Sequence, residues 1–201
     1  VARDLYAWMT LNNIPCSFKY PSVDAWRPGE GKGIPVDVQD PTAAPRYCGI
    51  TIKGVKVGPS PEWLQKKLMS IGLRPIDNVV DVSNFILFEL GQPLHTFDAD
   101  KISGGKVIVR RADGPMCIAG VFGGIDSGVK AETVNVFVES AYFDPGSIRK
   151  TSKRHTLQTD ASFRYERGAD PGINEYAAKR AALLIQEVAG GEIVGGIEEF
   201  Y

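Results

Sequence analysis

Cysteine, histidine and long apolar runs are all scarce in this chain of 201 residues. Its three cysteines, Cys16, Cys48 and Cys117, are odd in number and far apart. That excludes a disulfide framework, offers no zinc spacing and leads to the expectation of a reducing, cytoplasmic setting. With only His95 and His155 present, any histidine chemistry must use one of these two. Neither belongs to a His-x-x-x-His or Cys-x-x-Cys pattern, and no Gly-x-Ser-x-Gly occurs, so metallohydrolase and serine hydrolase readings lack support. No window approaches the roughly 20 apolar residues of a membrane span. A one-sided charge is missing as well: the formal net charge is −1, whereas a protein that grips nucleic acid unaided carries a basic excess. The chain opens Val1-Ala2-Arg3, with neither an initiator methionine nor a signal-peptide pattern, and is expected to be processed or, more simply, excised from a longer one.

What is present suits a globular core: 43% apolar and 23% charged residues, close to average usage and enough for one large domain or two small ones. RDLYAWMTLN from Arg3 has helical spacing, and the Pro/Gly-rich stretch from Pro15 to Pro45 reads as loop with a short strand near Ile34 to Val38. YCGITIK from Tyr47 alternates as a strand. SPEWLQKKLMSIG predicts a helix capped by Ser60, started by Pro61 and ended by Gly72. DNVVDVSNFILFEL predicts another, stopped by Gly91 and Pro93, leaving GQPLHTFD as loop. KVIVR, MCIAGVF and TVNVFVES predict strands; in the last, Val134, Val136 and Val138 share one face, so Glu139 points to the other. Asp170-Pro171 starts a final helix carried by Ile173, Ala177, Ala181, Leu184 and Val188. The expected class is α/β or α+β, a mixed sheet with packed helices.

Several polar features stand out, each with an ordinary explanation beside it. His95 lies just past a helix end, where loops carry function but also surface histidines. Gly123 and Gly124 follow a predicted strand and allow close approach, though they fit no dinucleotide or phosphate-loop spacing. Glu139 is either the acceptor of a ligand hydroxyl in an apolar recess or a solvated acid. Arg149, Lys150, Lys153 and Arg154 suit a phosphate backbone or a solvated helix face. HTLQTDASFRYERGAD, from His155 to Asp170, is the densest polar run, either a solvated loop or the wall of a site.

Taken together, RYCGITIKGVKVG, GLRPIDNVVDVSNFILFELGQPLHTFD, AGVFGGIDSGV, VESAYFDPGSIRKTSKRHTLQTDASFRYERGADP and the last helix resemble the editing module of bacterial phenylalanyl-tRNA synthetase beta subunits. The likeness covers nearly all of residues 46 to 201, with residues 1 to 45 as a preceding connector. It implies hydrolysis of tyrosine attached in error to the tRNA for phenylalanine. A binding or subunit-assembly module of the same enzyme is the alternative, and a free-standing editing protein is disfavoured. Expected partners are tRNA, the alpha subunit and the rest of the beta subunit, in a tetramer of two alpha and two beta subunits. No cofactor is implied in this segment; ATP and magnesium belong to the parent enzyme's synthetic site.

The resemblance also implies roles. Glu139 matches the glutamate that accepts the tyrosine phenol proton. Thr159 and Ala161 match pocket-lining positions, and Gly123 and Gly124 the pocket floor. Arg74, Ser83, Asn84 and His95 match polar positions around the ester and terminal adenosine, with His95, Ser83 and Asn84 assigned to catalysis and no metal. Asp160, Arg164, Glu166 and Arg167 are expected to brace the turn that carries Thr159. One departure is a segment missing between Gly114 and Pro115.

Overall fold

The structure, a computed structural model, describes residues 2–110, 116–124 and 126–201; the shortened junction at Gly114 and Pro115 lies outside them. In chain order the elements are α1 (Ala2–Leu11), β1 (Val36–Val38), β2 (Arg46–Lys53), α2 (Glu62–Ser70), α3 (Asn78–Leu90), β3 (Leu94–Asp98), β4 (Val107–Val109), β5 (Asn135–Tyr142), α4 (Pro145–His155), α5 (Asp160–Tyr165), α6 (Asn174–Ala189) and β6 (Glu192–Phe200). The main sheet runs β3-β5-β2-β6 with every pair antiparallel, and a separate parallel pair joins β1 to β4. Both strand senses occur, as the expected mixed class requires, but in different sheets.

The main sheet divides two cores. On one face Cys48, Ile50, Ile52, Val136 and Val138 pack against α2, α3 and α6. Four buried alanines on α6, at 177, 178, 181 and 182, keep that helix thin where it crosses the strands. On the other face Tyr47, Phe97, Phe137 and Ala141 meet Val121, Phe143, Ile148 and Tyr165. Strand alternation therefore sends His95 and Glu139 toward the second core together with Phe97 and Phe137. No helix among the described residues is long and apolar enough to cross a membrane.

Helix starts follow local chemistry, with two corrections. Asp170-Pro171 opens only the 3-10 turn Pro171–Ile173, and α6 follows from Asn174 without a side-chain cap. Asp77 caps α3 by accepting from the Val79 and Val80 amides at 2.9 and 2.8 Å, and Gly91 closes it at φ 80°. Ser60 does not cap α2. Pro61 holds that position, and the Ser60 hydroxyl donates to Asp81 Oδ2 at 2.6 Å. This buried tie from α2 to α3 explains an acid inside an apolar helix.

The loop predicted around His95 is instead strand β3, short and entered through Pro93. MCIAGVF, read as a strand, folds as a tight hairpin. Ile118 and Phe122 exchange backbone hydrogen bonds at 2.9 Å, with Gly120 at φ 69° between them. That left-handed turn is open to glycine at no steric cost.

Candidate functional site

The hairpin at 116–122, β3, β5 and α5 enclose a cavity of about 240 Å³. Its walls are largely apolar, and Glu139, His95 and Thr159 supply polar side chains. Of the residues singled out in the sequence, His95, Glu139, Gly123, Thr159 and Ala161 line it, whereas Arg74, Ser83, Asn84 and Gly124 do not.

Glu139 sits in the middle of β5, directly opposite His95 on β3 and Gly49 on β2. Its carboxylate is buried, and its Oε2 accepts a hydrogen bond from the Tyr47 hydroxyl at 2.5 Å. Burial raises the Glu139 pKa to about 7, although the Tyr47 bond pulls the other way. Sequence reading treated Tyr47 only as a strand residue; no local pattern pairs it with an acid 92 positions away.

His95 is half-buried, with Nε2 enclosed and without a hydrogen-bond partner among the described residues. Its ring stands edge-on to Phe97, centroids 4.4 Å apart. Burial lowers its pKa to about 4, so the imidazole is neutral at physiological pH. Gly123 makes room for it: a Cβ there would stand 2.9 Å from His95 Cε1. Gly124 has a different reason for lacking a side chain, since a Cβ would overlap the Met116 carbonyl oxygen. Cys117 lines the cavity although the sequence did not single it out for the site, and its thiol pKa is pushed up to about 12 by burial and the nearby Glu139.

Thr159 holds the opposite wall in place. Its Oγ1 accepts from the Ser162 amide at 3.1 Å while Ser162 Oγ accepts from the Thr159 amide at 2.9 Å, a reciprocal cap on α5. The same hydroxyl donates to the Val121 carbonyl at 3.0 Å, tying α5 to the hairpin. This places Ala161 on the cavity wall, where a methyl group leaves space.

The charges that follow form separate local contacts. Arg164 lies over the Phe88 ring and donates to the Asp160 carbonyl at 3.0 Å, while Arg167 pairs with Glu166 at 2.6 Å and lies over Phe163. These contacts lie within and at the end of α5 and reach Phe88 on α3, and they do not join into one ion-pair lattice among the described residues. Ser83 is buried within α3, and its Oγ has no partner among the described residues. Asn84 is half-buried and Arg74 exposed.

Beside the cavity, α4 turns Ile148 and Ser152 inward and leaves Arg149, Lys150, Lys153 and Arg154 exposed. Ile148 shares the core of Val121 and Phe143. The helix contains no acid. Its four cations make no ion pair among the described residues, and Lys150 exerts only a through-space pull on Asp144.

The sequence matches the B3/4 domain family over residues 43–115 and 112–190, two blocks that meet at the shortened junction. The phenylalanine–tRNA ligase beta subunit of Bacteroides fragilis is 49% identical over 226 residues, taking in 99% of this chain. The corresponding subunits of Porphyromonas gingivalis and Salinibacter ruber are 44% and 41% identical, over 100% and 98% of this chain. The chain spans 28%, 28% and 26% of the lengths of these three curated relatives. A family match that runs from β2 through α6 and includes the cavity-lining elements shows that the chain belongs to the B3/4 domain family.

Proposed function

We propose that the cavity beside Glu139 is the second sieve of a phenylalanine–tRNA ligase, taking tyrosine esterified in error to the tRNA for phenylalanine and hydrolysing the ester. One observation carries this reading: an apolar-walled cavity of about 240 Å³ that contains a buried carboxylate. Tyrosine and phenylalanine differ by one hydroxyl. An apolar synthetic pocket rejects an added hydroxyl only about 10²-fold, whereas a site built to bind the hydroxyl rejects the analogue lacking it by roughly 10⁴ to 10⁵. Glu139 supplies the acceptor, Ala161 leaves room for the ring, and Gly123 lets His95 lie against the cavity.

Hydrolysis needs a positioned water and charge stabilisation. The water oxygen attacks the ester carbonyl carbon, its proton passes to the departing ribose oxygen, and free tyrosine and uncharged tRNA result. A neutral His95 accepts a hydrogen bond from that water and orients it without contributing charge. Asn84, half-buried on α3, serves the ester side together with a ribose hydroxyl, and exposed Arg74 serves the terminal adenosine. Ser83, the third residue assigned to catalysis, neighbours Asn84 on α3, its buried hydroxyl without a partner among the described residues. No step calls on a metal. ATP and magnesium serve the synthetic site elsewhere in a cytoplasmic enzyme of two alpha and two beta subunits.

The basic face of α4 favours a complementary role in holding tRNA, because four exposed cations beside the cavity, with no ion pair among the described residues, suit a phosphate backbone. The deciding experiment measures deacylation of tyrosyl-tRNA and phenylalanyl-tRNA by the full two-subunit enzyme with and without Glu139→Ala. Selective loss of tyrosine clearance supports the sieve. Unchanged clearance with intact tRNA binding leaves a docking module.

A further inference from the structure

We propose that Tyr47 is a positioning residue for tyrosine discrimination: from behind the cavity wall its hydroxyl fixes one oxygen of Glu139 and leaves the other to receive the substrate phenol. The proposal rests on the sieve reading above and deepens it.

Tyr47 is completely buried and does not line the cavity, whereas Glu139 does. Tyr47 and Gly49 share one face of β2, and Gly49 is the direct register partner of Glu139. A Cβ at Gly49 would overlap the Phe137 ring. The β2 position opposite Glu139 therefore carries no side chain, and the Tyr47 phenol reaches the carboxylate from two residues along, 2.5 Å from Oε2. Oε1 has no hydrogen-bond partner among the described residues, and a carboxylate offers acceptor sites on both oxygens. One internal phenol thus occupies half of an acceptor whose other half suits a second phenol.

Each element packed around Glu139 contributes one titratable group: Tyr47 from β2, His95 from β3, Cys117 from the hairpin and Tyr165 from α5. Tyr47 and Tyr165 are driven well above their ordinary range, Cys117 is pushed to about 12 and His95 lowered to about 4. Between pH 6 and 9 Glu139 is the group among these that changes charge. Its hydrogen bond from Tyr47 favours the carboxylate, so the bond sets both the direction of the acceptor and the pH at which it becomes available.

The test uses the full enzyme and reads the ratio of tyrosyl-tRNA to phenylalanyl-tRNA hydrolysis from pH 6 to 9; the ratio removes the pH dependence common to both esters. With Tyr47→Phe the ratio is expected to fall about 10-fold at pH 7, the worth of one hydrogen bond to a charged group, and to recover at higher pH. Its midpoint should move up by a little over one unit, the shift that a 10-fold loss at pH 7 requires. Replacing Tyr47 with 3-fluorotyrosine, which keeps the shape and strengthens the donor, should move the midpoint down and preserve the fold where Tyr47→Phe does not. Midpoints that stay at the unmodified value in both proteins overturn the role of Tyr47 if Glu139→Ala still abolishes tyrosine preference. If Glu139→Ala leaves that preference intact, the sieve reading itself fails.

Discussion

His95 and Glu139 face one another across the β3–β5 ladder, yet burial drives them toward opposite uncharged forms, His95 down to about 4 and Glu139 up to about 7. No ion pair joins them among the described residues. The carboxyl group binds its proton more tightly folded than unfolded, so its cost is absent below its ordinary pKa of 4.5 and grows as pH rises to about 7. The imidazole does the reverse: stability is lost as pH falls from 6.5 toward about 4. Glu139→Gln should therefore stabilise the protein above pH 7 by on the order of 3 kcal/mol, with the gain vanishing near pH 4.5. Denaturant melts at pH 5 and pH 8 check it; an equal effect at both pH values would contradict a buried, titrating Glu139.

The adjacent glycines should separate function from folding. Gly123→Ala puts a methyl group 2.9 Å from His95 Cε1, so the imidazole, packed edge-on against Phe97, must shift. It should slow tyrosyl-tRNA hydrolysis about 10-fold while costing about 1 kcal/mol of stability, the low end for overpacking, because a side chain and not backbone has to move. Gly124→Ala drives a methyl group into the Met116 carbonyl and should cost about 1–3 kcal/mol. Thermal melting and deacylation on the same two proteins distinguish these outcomes.

Thr159→Val keeps the shape of the side chain but removes the α5 cap and the tie to Val121. A loss of about 1–2 kcal/mol is expected, with most of it recovered in Thr159→Ser. Denaturant unfolding of both variants provides the check.

Replacing Arg149, Lys150, Lys153 and Arg154 together with Gln leaves the cavity untouched. If α4 holds tRNA phosphates, the slope of log affinity against log salt should become shallower by roughly 0.7–0.9 for each phosphate that is no longer neutralised. An unchanged slope would assign these cations to a solvated face.

Much of the scaffold was legible because it follows local periods. Helices α3 and α6 and the strands β2 and β5 show in residue spacing, and alternation alone turned Glu139 away from the valine face. Strand β3 was not legible: only five residues long and placed just after Pro93, it resembles a loop until β5 is beside it. Nor was β6, whose Gly195 and Gly196 mimic a turn, or the hairpin at 116–122, whose apolar run imitates a strand.

Sequence by itself determined which residues could form the cores, the class of fold and, through dispersed motifs, the B3/4 relationship. Tertiary structure decided which polar residues meet. It brought His95, Glu139, Thr159 and Ala161 to one cavity, left Arg74, Ser83, Asn84 and Gly124 off its walls, and set Tyr47 behind Glu139. The physical reason is strand register: which residues face each other across a sheet depends on long-range pairing and on the packing of both faces, and a shift of one residue would reverse every side chain.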